Sequence, residues 1–211
     1  MNDWQESEDM ERIPIEKNLN RYLETETLLN GFFDTFDYCM KKCVAVEIEK
    51  NKGRPVSVCC KDRYHCISDL DHPAFDALRY EREIRYGRPE DQVNPDPVSP
   101  CEYHGLRGCH LPTHKSPICL SFMCRKSIDF LRETYGIYTY DYLGVYYALE
   151  WILTGNFSDA SYREFRESIL VMTQRVNEHE GSGKTTFLKT NTSNMLTDCM
   201  KGETHGNRRL Q

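Results

Sequence analysis

Nine of the ten cysteines lie between Cys39 and Cys124, and six of the nine prolines lie between residues 88 and 117. This overlap constrains the fold more than any other feature. The Pro-rich stretch "GRPEDQVNPDPVSPCEYHGLRGCHLPTHKSP" opposes regular structure, and irregular loops of this length are uncommon in a compact domain unless something organises them. Thiolates gathered around a metal would do so, with coordination replacing hydrophobic burial.

Disulfides, metal binding and incidental buried thiols are the three readings of such a cluster. A chain of 211 residues can bury a core without covalent staples, so size does not demand disulfides. The opening "MNDWQESEDMERIP" is acidic and polar, unlike a secretory signal with its basic start and apolar middle. The expectation is a cytoplasmic protein in a reducing compartment, where clustered cysteines bind metal more often than they pair.

The donors fall into two groups along the chain. One is Cys39-x3-Cys43 followed by Cys59-Cys60-x5-Cys66; the other is Cys101-x7-Cys109-x9-Cys119-x4-Cys124. If a helix persists through Cys39 and Cys43, the i, i+4 spacing puts both thiols on one face. Together the cysteines exceed what one mononuclear zinc uses, which favours a cluster with additional ligands or two centres. Neither the short C-x2-C knuckles of a zinc ribbon nor the C-x2-C-x2-C-x3-C-P run of ferredoxins is present. Within this region, His65 beside Cys66 and His110 beside Cys109 are the histidines best placed to add a ligand or support a sulfur; His72, His104 and His114 fit loop roles.

The order of Cys59-Cys60, Cys101, "GCHLP" at 108–112 and "SPICLSF" at 116–122 resembles the YkgJ-like cysteine-cluster proteins. That resemblance covers roughly Cys39 to Cys124 and implies zinc or iron chelation, or an iron–sulfur cluster. The family packs its first cysteines tightly, whereas fifteen residues separate Cys43 from Cys59 here.

Around the cysteines the periodicity is helical. Residues 14–40 carry Ile15, Leu19, Leu23, Leu29, Phe33 and Phe36 near helical spacing, with Gly31 as a weak point. A second helix is expected from His72-Pro73 to Gly87, with Phe75, Leu78 and Ile84 buried. Three more segments follow: one from Ile118 to Gly136, an apolar one ending at Gly155, and one reaching Glu180 with Ser161-x-x-Glu164 as a capping box. Only "PVSVCC" suggests a strand. The expected fold is mainly α, with irregular cysteine-rich loops packed on a small helical bundle. Residues 1–13 are expected to form a flexible acidic leader, 14–180 a single metal-binding helical domain and 181–211 a polar tail.

Other signals point elsewhere and are set aside. "GSGKTT" at 181–186 lacks the first glycine of a phosphate loop, since position 178 is Glu178. A net charge of −6 argues against a nucleic-acid partner, and no apolar run is long enough for a membrane span. The tyrosines from Tyr135 to Tyr147 fit core packing. The sequence therefore points to an iron–sulfur protein, with a 4Fe–4S cluster expected, acting in electron transfer or cluster-dependent redox chemistry with a redox or protein partner. The expected ligands are Cys39, Cys43, Cys59, Cys60, Cys66, Cys101, Cys109, Cys119 and Cys124, with His65 and His110 as additional candidates. A structural zinc module that presents an interaction surface is the alternative, and a metalloenzyme with an open coordination position is the third reading.

Overall fold

The computed structural model describes residues 3–50, 52, 70–88, 101, 103–105 and 108–187, and excludes the side chains of 3–13, 104, 105, 108 and 182–187. The described chain is mainly helical, as the periodicity predicts. It divides into two units, Met1–Val176 and Asn177–Gln211.

Helix α1 runs Asp3–Thr35. It begins earlier than expected: the leader is helical from Asp3, consistent with its many Glu, Gln, Met and Arg residues. Pro14 lies inside the helix, where it removes one backbone donor without ending the run. Leu19, Tyr22, Leu29, Phe32 and Phe36 are buried at i+3 and i+4 intervals, with Glu26 also fully buried on that stripe. Phe33 is only partly buried, so the buried stripe is centred on Phe32.

After α1 the backbone forms a π-helical turn, Cys39–Val44, in which the Ala45 N–H donates to the Met40 carbonyl five residues back. Such wide turns are rare and occur often at functional sites. The short α2, Ala45–Lys50, continues from it. Helix α3, Pro73–Tyr86, starts as expected, with Pro73 at its first position and His72 Nδ1 accepting from the Ala74 N–H at 3.1 Å. Its buried residues are Ala74, Leu78 and Arg82, whereas Ile84 is exposed. The buried face is thus rotated from the apolar pattern, because Arg82 is turned inward toward the loop at His114, whose carbonyl it reaches at 3.4 Å.

A two-residue antiparallel pair, β1 His104–Gly105 and β2 Gly108–Cys109, sets His104 opposite Cys109. The expected helix from Ile118 to Gly136 is two helices, α4 Pro117–Ser121 and α5 Arg125–Tyr135, separated at Phe122–Cys124. Phe122 and Cys124 both adopt extended backbone, ending one helix and starting the next. Ser116 caps α4 by accepting from the Cys119 N–H at 3.4 Å.

Helix α6, Tyr142–Thr154, is the apolar centre, and Asp141 caps it by accepting from Leu143 and Gly144 N–H groups. It ends at Gly155 with φ +79°, where a Cβ would come within 2.5 Å of the Asn18 amide nitrogen. Helix α7 spans Asp159–Phe187, so it continues through the "GSGKTT" stretch that was expected to lie in the tail. Its start is capped by Ser158, which accepts from the Ser161 N–H at 3.1 Å, three residues earlier than the Ser161 capping box that the sequence suggests. α6 packs against α1 and α4, and α1 against α3, forming one core from Leu19, Phe32, Leu120, Leu131, Leu149 and Leu153 outward. Among the described residues, no helix is long and apolar enough to cross a membrane.

Candidate functional site

The six described cysteines are all free thiols. Cys39, Cys43 and Cys124 meet at the end of α1. The π turn carries the first two, and the break between α4 and α5 delivers the third as the N-cap of α5, with its side chain making no cap bond. Between them stands Ser127, in the first turn of α5 and fully buried. Its Oγ is 3.0 Å from Cys39 Sγ and 3.3 Å from Cys124 Sγ. A hydroxyl carries one proton, so at most one of these bonds is donated by serine and the other must be donated by a thiol.

Burial pushes the Cys39 thiol up. The Ser127 hydrogen bond opposes this, and negative charge at Cys124 or Cys43 adds to it. All three cysteines also act on Tyr38, so their sulfurs share one electrostatic neighbourhood. Phe36, Tyr38, Phe130 and Tyr135 form an aromatic wall beside it, with Tyr38 and Phe130 centroids 4.5 Å apart. Lys42, Arg125 and Lys126 are exposed next to the thiols in the chain.

The second neighbourhood contains Cys101, Cys109 and Cys119. Cys101 is buried against Tyr103 and Leu111, and the Leu111 N–H donates to Cys109 Sγ at 3.4 Å. Cys119 lies in the first turn of α4, where burial pushes its thiol up to about 12; its hydrogen bonds with Ser116 oppose the shift, and charge at Cys109 or Cys101 adds to it. Cys109 is exposed as a residue, but crowding around its sulfur still raises its thiol, against the pull of the Leu111 N–H.

The loop connecting Cys109 to Cys119 is fixed by side chains one turn apart on α1. Tyr22 Oη donates to the Lys115 carbonyl at 2.6 Å. Glu26 accepts from the His114 N–H at 2.7 Å and the Lys115 N–H at 3.1 Å. Asn30 donates to the Pro112 carbonyl at 3.1 Å and accepts from Lys115 Nζ at 2.7 Å. Burial raises the Glu26 carboxyl, while both backbone donors pull it down.

His114 takes a left-handed backbone, φ 62°, within this clamp and is only 2 % exposed. Its ring lies 2.8 Å from Thr113 Oγ1 and 3.2 Å from Glu81 Oε2, and Thr113 Oγ1 lies 2.5 Å from Tyr86 Oη. A neutral ring protonated at Nε2 satisfies every member: Tyr86 donates to Thr113, Thr113 to Nδ1, and Nε2–H to Glu81. Burial lowers the His114 pKa, which agrees with a neutral ring, although Glu81 opposes the shift. His114 is therefore a structural residue.

Cys59, Cys60, Cys66, Cys199 and His65 lie outside the described residues, as does the strand suggested for "PVSVCC". His110 is exposed, and its N–H donates to the Tyr103 carbonyl. Among the described residues, no group of three or more His, Cys, Asp or Glu side chains is arranged to hold a metal ion. Spacing alone missed Ser127 and the Tyr22, Glu26 and Asn30 clamp. The clamp had a signal: three polar residues at i, i+4 and i+8 interrupt the apolar stripe of α1.

Fold and thiols together define a mainly helical, cysteine-rich protein with two thiol neighbourhoods. No protein-family model, curated protein or solved structure matches the chain.

Proposed function

We propose that the chain is a cysteine-ligated metal protein that holds an iron–sulfur cluster at its second thiol neighbourhood and uses it in electron transfer or cluster-dependent redox chemistry. The observation that supports this reading is the gathering of Cys101, Cys109 and Cys119, all free, with charge at Cys109 and Cys101 acting on Cys119, beside a loop clamped by α1. The same three cysteines belong to the segments that resemble the cysteine-cluster proteins, with Cys59 and Cys60 in the same pattern. Thiolates are the preferred ligands of iron–sulfur clusters, and burial with hydrogen bonding to sulfur tunes their potentials. Cys101 supplies burial, and the Leu111 N–H supplies a hydrogen bond to Cys109. A fourth thiolate is sought among Cys59, Cys60 and Cys66 by single Cys→Ser replacement. A redox partner completes the reading.

Iron and acid-labile sulfide measured on anaerobically prepared protein test it. Near-equal iron and sulfide with broad visible absorption are expected, and both fall in Cys109→Ser and Cys119→Ser. Colourless protein that takes up neither on anaerobic reconstitution contradicts the reading.

A further inference from the structure

Helix α6 carries one charged residue, Glu150, and that side chain is turned into the core, where it accepts from Tyr146 Oη. A helix that is apolar on all sides is ordinarily buried on all sides. α6 packs on α1 and α4, yet Leu143, Tyr147 and Trp151, at i, i+4 and i+8, are left 45–46 % exposed. Single exposed apolar residues are ordinary on a protein surface. A charge-free row of three on one helix face, with Tyr and Trp in it, has the composition of an interface centre. The row is rigid: Tyr147 and Trp151 stack with ring centroids 6.3 Å apart, and Phe157 stands 6.3 Å from Trp151 on the far side. Gly144 lies exposed on the same face, and the nearest atoms that a Cβ there would meet all belong to Asp141, the cap of its own helix.

We propose that this face pairs with the same face of a second copy of the chain, antiparallel about a twofold axis at the middle of α6. Gly144 and Trp151 lie seven residues apart, close to two helical turns. An antiparallel twofold exchanges those two positions, so Trp151 of each copy is set against the bare backbone at Gly144 of the other, with the two Tyr147 rings beside the axis. A bulky side chain facing an empty seat, twice over, is the reciprocal contact of an isologous interface. Charge selects the same occupant: the row offers a charged segment nothing to pair with, and the surface that matches it is another uncharged aromatic row. Each of the three side chains leaves roughly 100 Å² to bury, well under the roughly 800 Å² per partner of a standard interface. The pair is therefore weak and reversible.

The test follows the mass of the full chain by sedimentation velocity from about 10 to 500 µM, the range of a weak pair, under reductant so that its ten cysteines form no cross-links. A reversible shift from monomer to dimer is expected. In a Trp4→Phe background Trp151 is the one remaining indole, and its emission is expected to move to shorter wavelength over the same range. Trp151→Ala is expected to weaken the dimer about tenfold or more. Gly144→Leu separates a seated pair from general stickiness: it adds apolar surface, yet is expected to weaken the dimer by a similar factor because its side chain fills the seat. Far-UV circular dichroism checks that each variant folds, and the emission shift needs no change on α6. A chain that stays monomeric throughout overturns the proposal and leaves the face to a partner of another kind. Undiminished affinity in Trp151→Ala, or a dimer tightened by Gly144→Leu, overturns it as well. Iron and sulfide content does not enter these readouts, so this proposal and the cluster reading fail separately.

Discussion

The two thiol neighbourhoods are built by opposite means. The second is held from outside: α1 reaches across with Tyr22, Glu26 and Asn30 and fixes the backbone between Cys109 and Cys119. The first is held from inside: a single hydroxyl on α5 links Cys39 to Cys124, while the π turn and the α4–α5 break supply the backbone irregularity. A chain that must present thiols from distant segments can thus either pin the loop or shape the helix ends. Pinning the loop requires buried charge and buried polar groups. Shaping the helix ends requires a strained or interrupted helix.

The largest expected difference between the neighbourhoods is in thiol reactivity. With its thiol pushed up to about 12, metal-free Cys119 carries roughly a thousandfold less thiolate at pH 8 than an ordinary cysteine, and its alkylation is expected to be slower by a comparable factor. The same shift makes the metal-free fold pH-dependent. A thiol held above its unfolded value contributes stability that is complete below about pH 9 and lost as pH rises toward 12. Chemical denaturation from pH 8 to 11 is expected to show that decline, and Cys119→Ala to flatten it. A Cys119 that alkylates as fast as an ordinary thiol would erase the contrast.

Next in size is the clamp. Glu26→Ala leaves the buried His114 N–H and the half-buried Lys115 N–H without their acceptor, at a cost of about 2–4 kcal/mol. Thermal unfolding measures the loss, and alkylation mapping is expected to show Cys109 and Cys119 loosened more than Cys39 and Cys124. Equal loosening of both sets would mean that α1 does not hold the second neighbourhood selectively.

His114 gives a smaller, signed effect. Its pKa is lowered by burial, so the unfolded chain binds more protons just below the ordinary value near 6.5, and stability falls as pH drops through that window. Unfolding between pH 7.5 and 5 is expected to show a slope that His114→Gln reduces. The smallest effect on the metal-free fold is expected for Ser127→Ala, about 1 kcal/mol or less, since neither bond partner is an ion in the protonated state.

The helices were legible in the sequence because their signals are local. Apolar spacing on α1 and α6, His72-Pro73 at the start of α3, and Gly155 after α6 all mark elements near where they occur. The grouping of the thiols was not legible, because it depends on which distant segments meet. Cys124 follows Cys119 closely in the chain, yet the break at Phe122–Cys124 turns it toward Cys39, 85 positions earlier. Ile84 is exposed and Arg82 buried on α3 for the same reason: the loop partner of Arg82 lies 32 residues away. Ser127 carries no motif; only its position between two sulfurs marks it.

The most direct test of two separate thiol neighbourhoods is to quantify iron and sulfide in wild-type chain, in Cys39→Ser/Cys124→Ser and in Cys109→Ser/Cys119→Ser, each purified and reconstituted anaerobically. The expected result is that the first variant keeps iron and sulfide, while the second loses both. Loss of iron and sulfide in both variants, or in neither, would contradict the assignment of the cluster to the second neighbourhood alone.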